Sequence, residues 1–381
     1  MPAGTNGILV GKILLLTNAH IVTQELLAIC RLPVTDRDKP APDHVLLADN
    51  PAGIPNSILQ SRSFINRMVC SYDGDRRLTS STAWSGTVKT IRTEILDIAY
   101  EEGGPQTGSL VLLLHGWPDA PCGWGAVAQQ LHAKGWRTIA PYLRGTGPTS
   151  FLGNETPRVG AGVALAQDAI DLVDSLGIDR FAVVGHDWGA RAAYTLAVLF
   201  PERITTVSAL ALAYQPQGLF KIPSFDQARR FWYQWFLCVE GGMGKFHDDR
   251  VGFARIQWET WSPTGWLDET EFRKTAESFS NPDWVSITAN AYRSRWLKGE
   301  AWDSRYDALQ RKLEEVRALS TPTLMIQGAA DLCDAPSESE GLEAYFTGRY
   351  QRVLLDGIGH FPHREAPDAV ATAIHRHLAT R

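Results

Sequence analysis

One short motif places a carboxylate where a nucleophile would stand. The motif G-H-D-W-G at residues 185–189 follows the apolar run Phe181–Val184, which predicts a buried strand, and precedes the helical stretch Arg191–Phe200. Glycines on both sides of Asp187 permit a tight turn that lifts its side chain above the sheet, where the following helix aims its N-terminal amides. An ionised carboxylate needs no base to attack an electrophilic carbon and form an ester. The alternative is an aspartate that only caps the helix.

An ester on Asp187 has to be hydrolysed, and a histidine and a carboxylate further along the chain could activate the water. His360 lies in a glycine-rich loop after the last predicted strand, and its alternative role is that of a structural loop histidine. Asp331 follows the predicted strand Thr323–Ile326 and is expected to orient the histidine, with Asp334 as its competitor. The chain order is therefore nucleophile, acid, base.

A second turn supplies candidate donors for an oxyanion hole. The motif H-G-W-P at residues 115–118 directly follows the aliphatic run Leu110–Leu114, which predicts a strand buried on both faces. The backbone N–H groups of Trp117 and of Trp188 could bind the oxyanion that forms when water attacks the ester. The alternative is that H-G-W-P serves only as a tight turn.

These residues require a scaffold, and the pattern of the chain predicts one. From about residue 86, short buried strands alternate with amphipathic helices, which indicates a mostly parallel, doubly wound α/β sheet. The alternation stops between about Tyr214 and Leu319, where helices are joined by Pro and Gly turns, and it then resumes. We therefore predict a core of residues 86–213 and 320–381, interrupted by a helical cap of residues 214–319.

Composition excludes several classes of protein. The 381 residues are 44% hydrophobic and 21% charged, as in globular proteins, and the net charge of −5 argues against a nucleic-acid partner. Five cysteines, an odd number without metal-ligand spacing, predict reduced thiols in a cytoplasmic protein rather than disulfides or a zinc site. Tryptophan is abundant, and eight of the thirteen lie in the predicted cap: 232, 235, 258, 261, 266, 284, 296 and 302.

The first 85 residues do not fit this pattern. Residues 7–30 are apolar, but Lys12 and several polar residues interrupt them, so no membrane span is expected. We interpret this stretch as a weak amphipathic helix or as sequence upstream of the true start codon, with a cryptic secretory signal as the alternative. Residues 31–85 have the composition of a linker or extended arm. Residues 1–85 are therefore predicted to be a poorly ordered extension.

From about Val88 to the C-terminus the chain resembles the α/β-hydrolase superfamily, and within it most closely the epoxide hydrolases. The motifs that carry the resemblance are H-G-W-P at 115–118, G-H-D-W-G at 185–189, G-x-x-D at 328–331 and G-H-F at 359–361, with Glu365 and Pro367 downstream. The resemblance implies two cap tyrosines that donate to the epoxide oxygen. Tyr233, in Y-Q-W-F, and Tyr292, in N-A-Y-R, match those positions, and cap packing is the alternative role of each.

The resemblance also implies a reaction. Asp187 would attack an oxirane carbon, Tyr233 and Tyr292 would bind the ring oxygen, and the hydrolysed ester would release a vicinal diol. No metal or organic cofactor would be needed. The expected partners are a small hydrophobic substrate and water, with no nucleic acid, and the chain would be a monomer or a homodimer. Aromatic residues that would line the substrate pocket are Trp117, Trp188, Trp235 and Phe361.

Two other functions fit parts of the pattern. A haloalkane dehalogenase also uses an aspartate at this turn and would bind halide through the ring N–H groups of Trp117 and Trp188. Haloacetate dehalogenases resemble G-H-D-R-G-x-R; Arg191 fits the second arginine, but Trp188 replaces the first, which weakens the expected carboxylate binding. The last alternative is a non-catalytic, ligand-binding member of the same fold. Tyr142 also departs from the pattern, since an aspartate is common there.

Overall fold

The protein is described here by a computed structural model, in which residues 87–218 and 220–380 are placed. The predictions for residues 1–85 lie outside the described residues. Nine strands form one sheet with the order β1-β2-β4-β3-β6-β7-β8-β9, and β5 pairs with β2. The strands are β1 (Lys89–Arg92), β2 (Leu96–Gly103), β3 (Leu110–Leu114), β4 (Arg137–Pro141), β5 (Ser150–Phe151), β6 (Phe181–His186), β7 (Ile204–Leu210), β8 (Thr323–Gly328) and β9 (Tyr350–Leu355).

The six strands from β4 to β9 along this order are parallel, whereas β2 pairs antiparallel with β1, β4 and β5. The helices are α1 (Gly125–Ala133), α2 (Gly162–Ser175), α3 (Trp188–Leu199), α4 (Phe225–Arg230), α5 (Trp232–Cys238), α6 (Gly242–Asp248), α7 (Arg250–Thr260), α8 (Glu269–Ala276), α9 (Trp284–Arg293), α10 (Asp307–Glu315), α11 (Pro362–Glu365) and α12 (Pro367–Ala379).

Strand β3 shows why the sheet is covered on both faces. All five of its residues are buried. Leu112 and Leu114 pack in the apolar cluster that includes residues of α2 and α3. Val111 and Leu113 belong to the opposite cluster, with residues of α1 and α12. Successive side chains of a strand point to opposite faces, so a continuous aliphatic run is what a strand between two helical layers requires.

Helices α4 to α10 all lie between β7 and β8 in the chain, and we call residues 214–319 the helical segment. This segment packs over the loops that follow the strands. For example, the indole N–H of Trp258 in α7 donates to the carbonyl of Pro118, 2.8 Å away. The helical segment and those loops therefore enclose a common space.

Two further observations concern the described residues as a whole. Within residues 87–218 and 220–380, no helix combines the length and the apolar character needed to cross a bilayer. Cys122, Cys238 and Cys333 are free thiols, and Cys333 is buried.

Candidate active site

Asp187 occupies a strained turn between β6 and α3. Its backbone has φ 49° and ψ −112°, a region that non-glycine residues rarely adopt. The turn depends on close backbone contacts, because a Cβ at Gly185 would overlap the carbonyl of Gly189. A Cβ at Gly189 would in turn overlap the carbonyl of Leu114 in β3. The flanking glycines therefore allow the close packing of this turn, as the motif predicts. That packing holds the strained backbone of Asp187 at the edge of the sheet.

Asp187 is only 6% exposed, and a backbone amide holds its carboxylate. Its Oδ1 accepts a hydrogen bond of 2.8 Å from the N–H of Trp117, and the backbone N–H of Trp188 lies near enough to the carboxylate to lower its pKa. Burial raises the pKa of Asp187, while His360 and the two amides oppose that rise. The same two N–H groups that were predicted to form an oxyanion hole thus converge on this side chain.

His360 is oriented by Asp331. Its Nδ1 lies 2.9 Å from Asp331 Oδ2. The Asp331 carboxylate is itself fixed, because it accepts hydrogen bonds from the N–H groups of Cys333 and Asp334 and from the side-chain amide of Gln327. The ring of His360 is therefore held with Nδ1 towards Asp331 and Nε2 towards Asp187.

The other ring nitrogen faces Asp187. His360 Nε2 lies 3.8 Å from Asp187 Oδ2 and has no hydrogen-bond partner, although it is buried. Burial disfavours the protonated ring, but Asp331, Asp187 and Asp334 outweigh it and raise the pKa of His360 to about 9. A protonated His360 ring therefore faces the Asp187 carboxyl group at neutral pH, across a gap of 3.8 Å.

Asp334, the competing acid, has a different environment. No hydrogen bond joins it to His360 among the described residues, and its backbone N–H donates to Asp331 instead. Burial and the neighbouring Asp331 raise the pKa of Asp334 to about 7. Of the two acids, Asp331 is the one that bonds to the His360 ring, and Asp334 lies next to Asp331.

The loop that carries His360 is held by side chains that the sequence motifs did not identify. Ser262, in the helical segment, accepts a hydrogen bond of 2.9 Å from the N–H of His360 and donates one of 2.7 Å to Glu365. Glu365 also accepts from the N–H groups of Gly359 and Phe361, at 2.7 and 3.0 Å. Glu365 was noted only as a downstream match, and an isolated serine carries no signal in the sequence.

The two predicted tyrosines meet above Asp187. The rings of Tyr233 in α5 and Tyr292 in α9 are 5.1 Å apart, edge to face, and both residues are buried. Tyr292 Oη accepts a hydrogen bond of 3.1 Å from the indole N–H of Trp188, and Tyr233 Oη accepts one of 3.0 Å from Gln234. Burial holds the pKa of both phenols well above 10, so both hydroxyls are protonated donors.

Aromatic rings surround this space, with Trp117 at their centre. Its ring contacts six others at centroid distances of 5.2–6.3 Å: Trp188, Tyr233, Phe253, Trp261, Trp284 and Tyr292. An apolar enclosure of this kind excludes water and suits an apolar ligand.

The other two predicted pocket residues are placed differently. Trp235 packs on Trp296 with ring centroids 4.3 Å apart, and its indole N–H donates to the carbonyl of Ala228. The structure does not bring it into the ring cluster around Trp117, because it lies on another side of α5. Phe361 lies behind His360, where it stacks on Trp266 at 4.7 Å. Its role there is to pack the base of the loop.

A second polar cluster lies beneath the site. His186 donates through Nε2 to the carbonyl of His360, 2.8 Å away. Asp119, His186 and His363 have the ligand types and proximity for a metal ion. However, Asp119 already pairs with Arg364 at 2.6 Å and with His363 at 3.0 Å, and these partners hold its pKa far below the ordinary value. The geometry therefore fits a neutralised structural cluster better than a metal site.

Comparison with known proteins agrees with this geometry. A family model described as the alpha/beta hydrolase fold matches residues 109–367. Epoxide hydrolase A of Mycobacterium tuberculosis is 24% identical over 321 residues, covering 76% of this chain and 96% of that protein. An epoxide hydrolase of Caballeronia sordidicola is 26% identical over 301 residues, covering 72% of this chain and 88% of that protein.

A crystal structure from Klebsiella pneumoniae subsp. pneumoniae, provisionally assigned as an epoxide hydrolase, superimposes with a TM-score of 0.73 at 34% identity. The match covers 78% of this chain and 99% of that one. The chain therefore belongs to the α/β-hydrolase family, and the fold predicted from its sequence is confirmed. Within that family it is an enzyme of the epoxide hydrolase-like type.

Proposed function

We propose that the protein opens an apolar epoxide to a vicinal diol through an ester on Asp187. The observation that carries the proposal is the position of His360 Nε2, 3.8 Å from Asp187, in a site where the buried phenols of Tyr233 and Tyr292 are close enough to feel the charge of Asp187. The epoxide hydrolases of similar sequence give the reaction class. In this proposal residues 86–213 and 320–381 form the core, and the helical segment serves as the cap that encloses the substrate.

In the first step, an Asp187 oxygen attacks an oxirane carbon and the ring C–O bond breaks. The developing alkoxide takes a proton from the hydroxyl of Tyr233 or Tyr292. Trp188 supports this role of Tyr292, because its indole N–H already donates to the phenol oxygen and leaves the phenol proton for the substrate. The acidic donors lower the barrier by stabilising the negative charge that forms on the oxygen.

Ester formation changes the charge around His360. The Asp187 carboxylate is one of the groups that raise the pKa of this histidine, and the ester is neutral. The pKa of His360 therefore falls once the ester forms, and its proton can return to the tyrosinate. The neutral ring then has a free Nε2 directed towards the ester, which is the state a general base requires.

In the second step, His360 Nε2 removes a proton from water, and the hydroxide attacks the Asp187 carbonyl carbon. The N–H groups of Trp117 and Trp188 stabilise the oxyanion of the tetrahedral intermediate. The intermediate then breaks at the ester bond, and the departing alkoxide takes the proton of the new carboxyl group. The diol leaves, and the Asp187 carboxylate and the His360 imidazolium are restored with atoms and charge balanced.

The haloalkane dehalogenase alternative would use Trp117 and Trp188 differently. A haloalkane dehalogenase would direct two indole N–H groups at the leaving halide. Here the Trp188 indole N–H is committed to Tyr292, and the Trp117 indole N–H is buried without a partner. This arrangement favours the epoxide reaction, which uses the tyrosine.

The proposal is tested by offering the full-length protein styrene oxide and 1-bromobutane in parallel. Diol from the first and no bromide from the second is the expected result. Bromide release without diol would replace the proposal by the dehalogenase alternative. Ligand binding with neither product would favour a non-catalytic role.

A further inference from the structure

Among the residues that the structure describes, two half-buried arginines stand beside the site without a carboxylate within ion-pair distance. Arg191 lies on α3, one helical turn after Asp187, and Arg295 follows the end of α9. Both guanidinium carbons lie 4.2 Å from the ring centroid of Phe220. Arg295 is also 4.7 Å from the ring centroid of Tyr292. The two cations therefore share one aromatic platform next to a proposed proton donor.

The hydrogen bonds of these arginines are incomplete. Arg191 donates to the side-chain oxygen of Gln215 at 2.9 Å, and Arg295 donates to that of Gln234 at 3.4 Å. The Nε atoms of both are buried and have no hydrogen-bond partner. Within the part of the chain that the structure describes, neither guanidinium lies within ion-pair distance of a carboxylate. Leaving a buried N–H donor without an acceptor costs free energy. These Nε–H groups therefore indicate that a ligand supplies the acceptor.

Two arginines whose side chains are buried show the usual arrangement. Arg144 pairs with Asp168 at 2.6 Å, and Arg364 pairs with Asp119 at 2.6 Å. Arg191 differs because burial and the nearby Arg295 lower its pKa to about 9, although Asp187 and Asp334 oppose this. The positive charge at this position is therefore undercompensated in the free protein.

The geometry points to Arg191 and Arg295 as a subsite for a carboxylate carried by the substrate. The inference rests on the proposed function and narrows its substrate class to an oxirane with a carboxylate on one side and an apolar group on the other. A carboxylate fits because its two oxygens match the guanidinium donors. Asp187 and Asp334 lie close enough to limit the negative charge that the site accepts, which disfavours a dianionic phosphate.

The sequence motif alone gives the opposite expectation. Trp188 stands where a haloacetate dehalogenase has its first arginine, and this was expected to weaken carboxylate binding. In the folded chain, the second guanidinium comes from Arg295 in the helical segment, about a hundred residues away in sequence. Carboxylate binding is thus supplied by packing of that segment against α3 and not by the local motif.

The test compares turnover of 3-phenyloxirane-2-carboxylate with turnover of its methyl ester, which differs only in charge at the proposed contact. The native protein is expected to show kcat/KM at least about 10-fold higher for the acid, since hydrogen bonds to charged groups have that magnitude. The acid-to-ester ratio is expected to fall about 10-fold or more in Arg191→Gln and in Arg295→Gln. In the matched control Arg250→Gln, a half-buried arginine that donates to the carbonyls of Phe279 and Asn281, the ratio should stay within about threefold.

A binding measurement separates this inference from the proposed reaction. Isothermal titration of the native protein with phenylacetate and with the neutral phenylacetamide needs neither turnover nor a variant. Binding of the acid at least about 10-fold tighter, with no diol from either oxirane, would retain the subsite and reject the epoxide reaction. Bromide release from bromoacetate would then identify the chemistry as dehalogenation. Equal affinity for acid and amide, or an acid-to-ester ratio near one in the native protein, would overturn the subsite.

Discussion

Ser262 and His360 are joined by a hydrogen bond of 2.9 Å from the backbone N–H of the histidine to the serine hydroxyl. The serine belongs to the helical segment, whereas the histidine belongs to the loop after β9. The same hydroxyl donates to Glu365, which in turn holds the N–H groups on either side of His360. The helical segment is thus bonded directly to the loop that carries the proposed base.

Removing that hydroxyl is expected to slow the reaction more than it weakens binding. In Ser262→Ala, the buried N–H of His360 loses its acceptor, and one Glu365 oxygen loses one of its two donors and keeps the N–H of Phe361. The lost interaction should lower kcat about 10-fold while KM changes less, because the ring shifts relative to the ester and the substrate pocket stays. Steady-state kinetics on styrene oxide, with exposed Ser286→Ala as control, measure this. Unchanged kcat would show that the bond does not position the base.

The sheet was predictable because its strands carry their own signal. The apolar run Leu110–Leu114 coincides with β3, and the predicted strand and helix on either side of Asp187 are β6 and α3. The two-residue strand β5 was not predicted, since Ser150 and Phe151 show no periodic pattern and become a strand only by pairing with β2. Local patterns thus identify elements that are buried on both sides and miss those created by a partner.

The residues of the candidate site that belong to sequence motifs could be predicted from the sequence. Asp187, Asp331 and His360 each follow a strand, and the carboxyl ends of parallel strands converge at one edge. Trp235 was predicted to line the pocket, but it packs on Trp296 instead. Which side of a short helix faces the site depends on how the helical segment packs, and the sequence does not specify that.

The tyrosine pair makes a clear kinetic prediction. Tyr292→Phe and Tyr233→Phe each remove one proton donor for the ring oxygen, so each should lower kcat/KM about 10²-fold, the lower end of the range for general acid catalysis. Tyr214→Phe is the matched control, since the buried hydroxyl of Tyr214 has no hydrogen-bond partner and contributes nothing to the reaction. Equal activity of all three variants would remove the tyrosines from the mechanism.

The charge coupling between Asp187 and His360 is measurable without substrate. An NMR titration of the His360 imidazole should give a pKa of about 9 in the native protein. Asp187→Asn resembles the neutral ester and removes one of the charges that raise this pKa, so the titration should move to lower pH. A titration that is unchanged by the substitution would contradict the proposal that ester formation releases the base.

The same pKa implies a stability profile. The ordinary pKa of histidine is about 6.5, and folding raises that of His360, so the folded state favours the protonated ring. The resulting stabilisation is complete below pH 6.5 and is lost as pH rises through about 9. The melting temperature of the native protein should therefore fall more between pH 6.5 and 9.5 than that of His360→Gln. Parallel profiles would contradict the assignment.

Asp334 should show a pH dependence of the same sign as that of His360, but at lower pH. Burial and Asp331 raise its pKa from 3.8 to about 7, so the folded state favours the neutral acid and ionisation destabilises the fold as pH rises through that range. Asp334→Asn removes this effect, and its melting temperature relative to the native protein should increase from pH 5 to pH 8. Asp331→Asn offers the contrast, because it removes the negative charge that fixes the His360 tautomer and stabilises the imidazolium, and it should lower activity at least about 10²-fold. A stability difference that does not change with pH would show that Asp334 is not perturbed.

The central claim is that Asp187 is the nucleophile, and a single turnover in ¹⁸O water tests it most directly. With protein in excess over styrene oxide, water attacks the ester carbonyl, so the label should enter the Asp187 carboxylate. The diol of that first turnover should carry an unlabelled oxygen from the aspartate. Mass spectrometry of the peptide that contains Asp187, together with that of the diol, gives both results. Label in the diol with none in Asp187 would show direct attack by water on the oxirane and contradict the proposed mechanism.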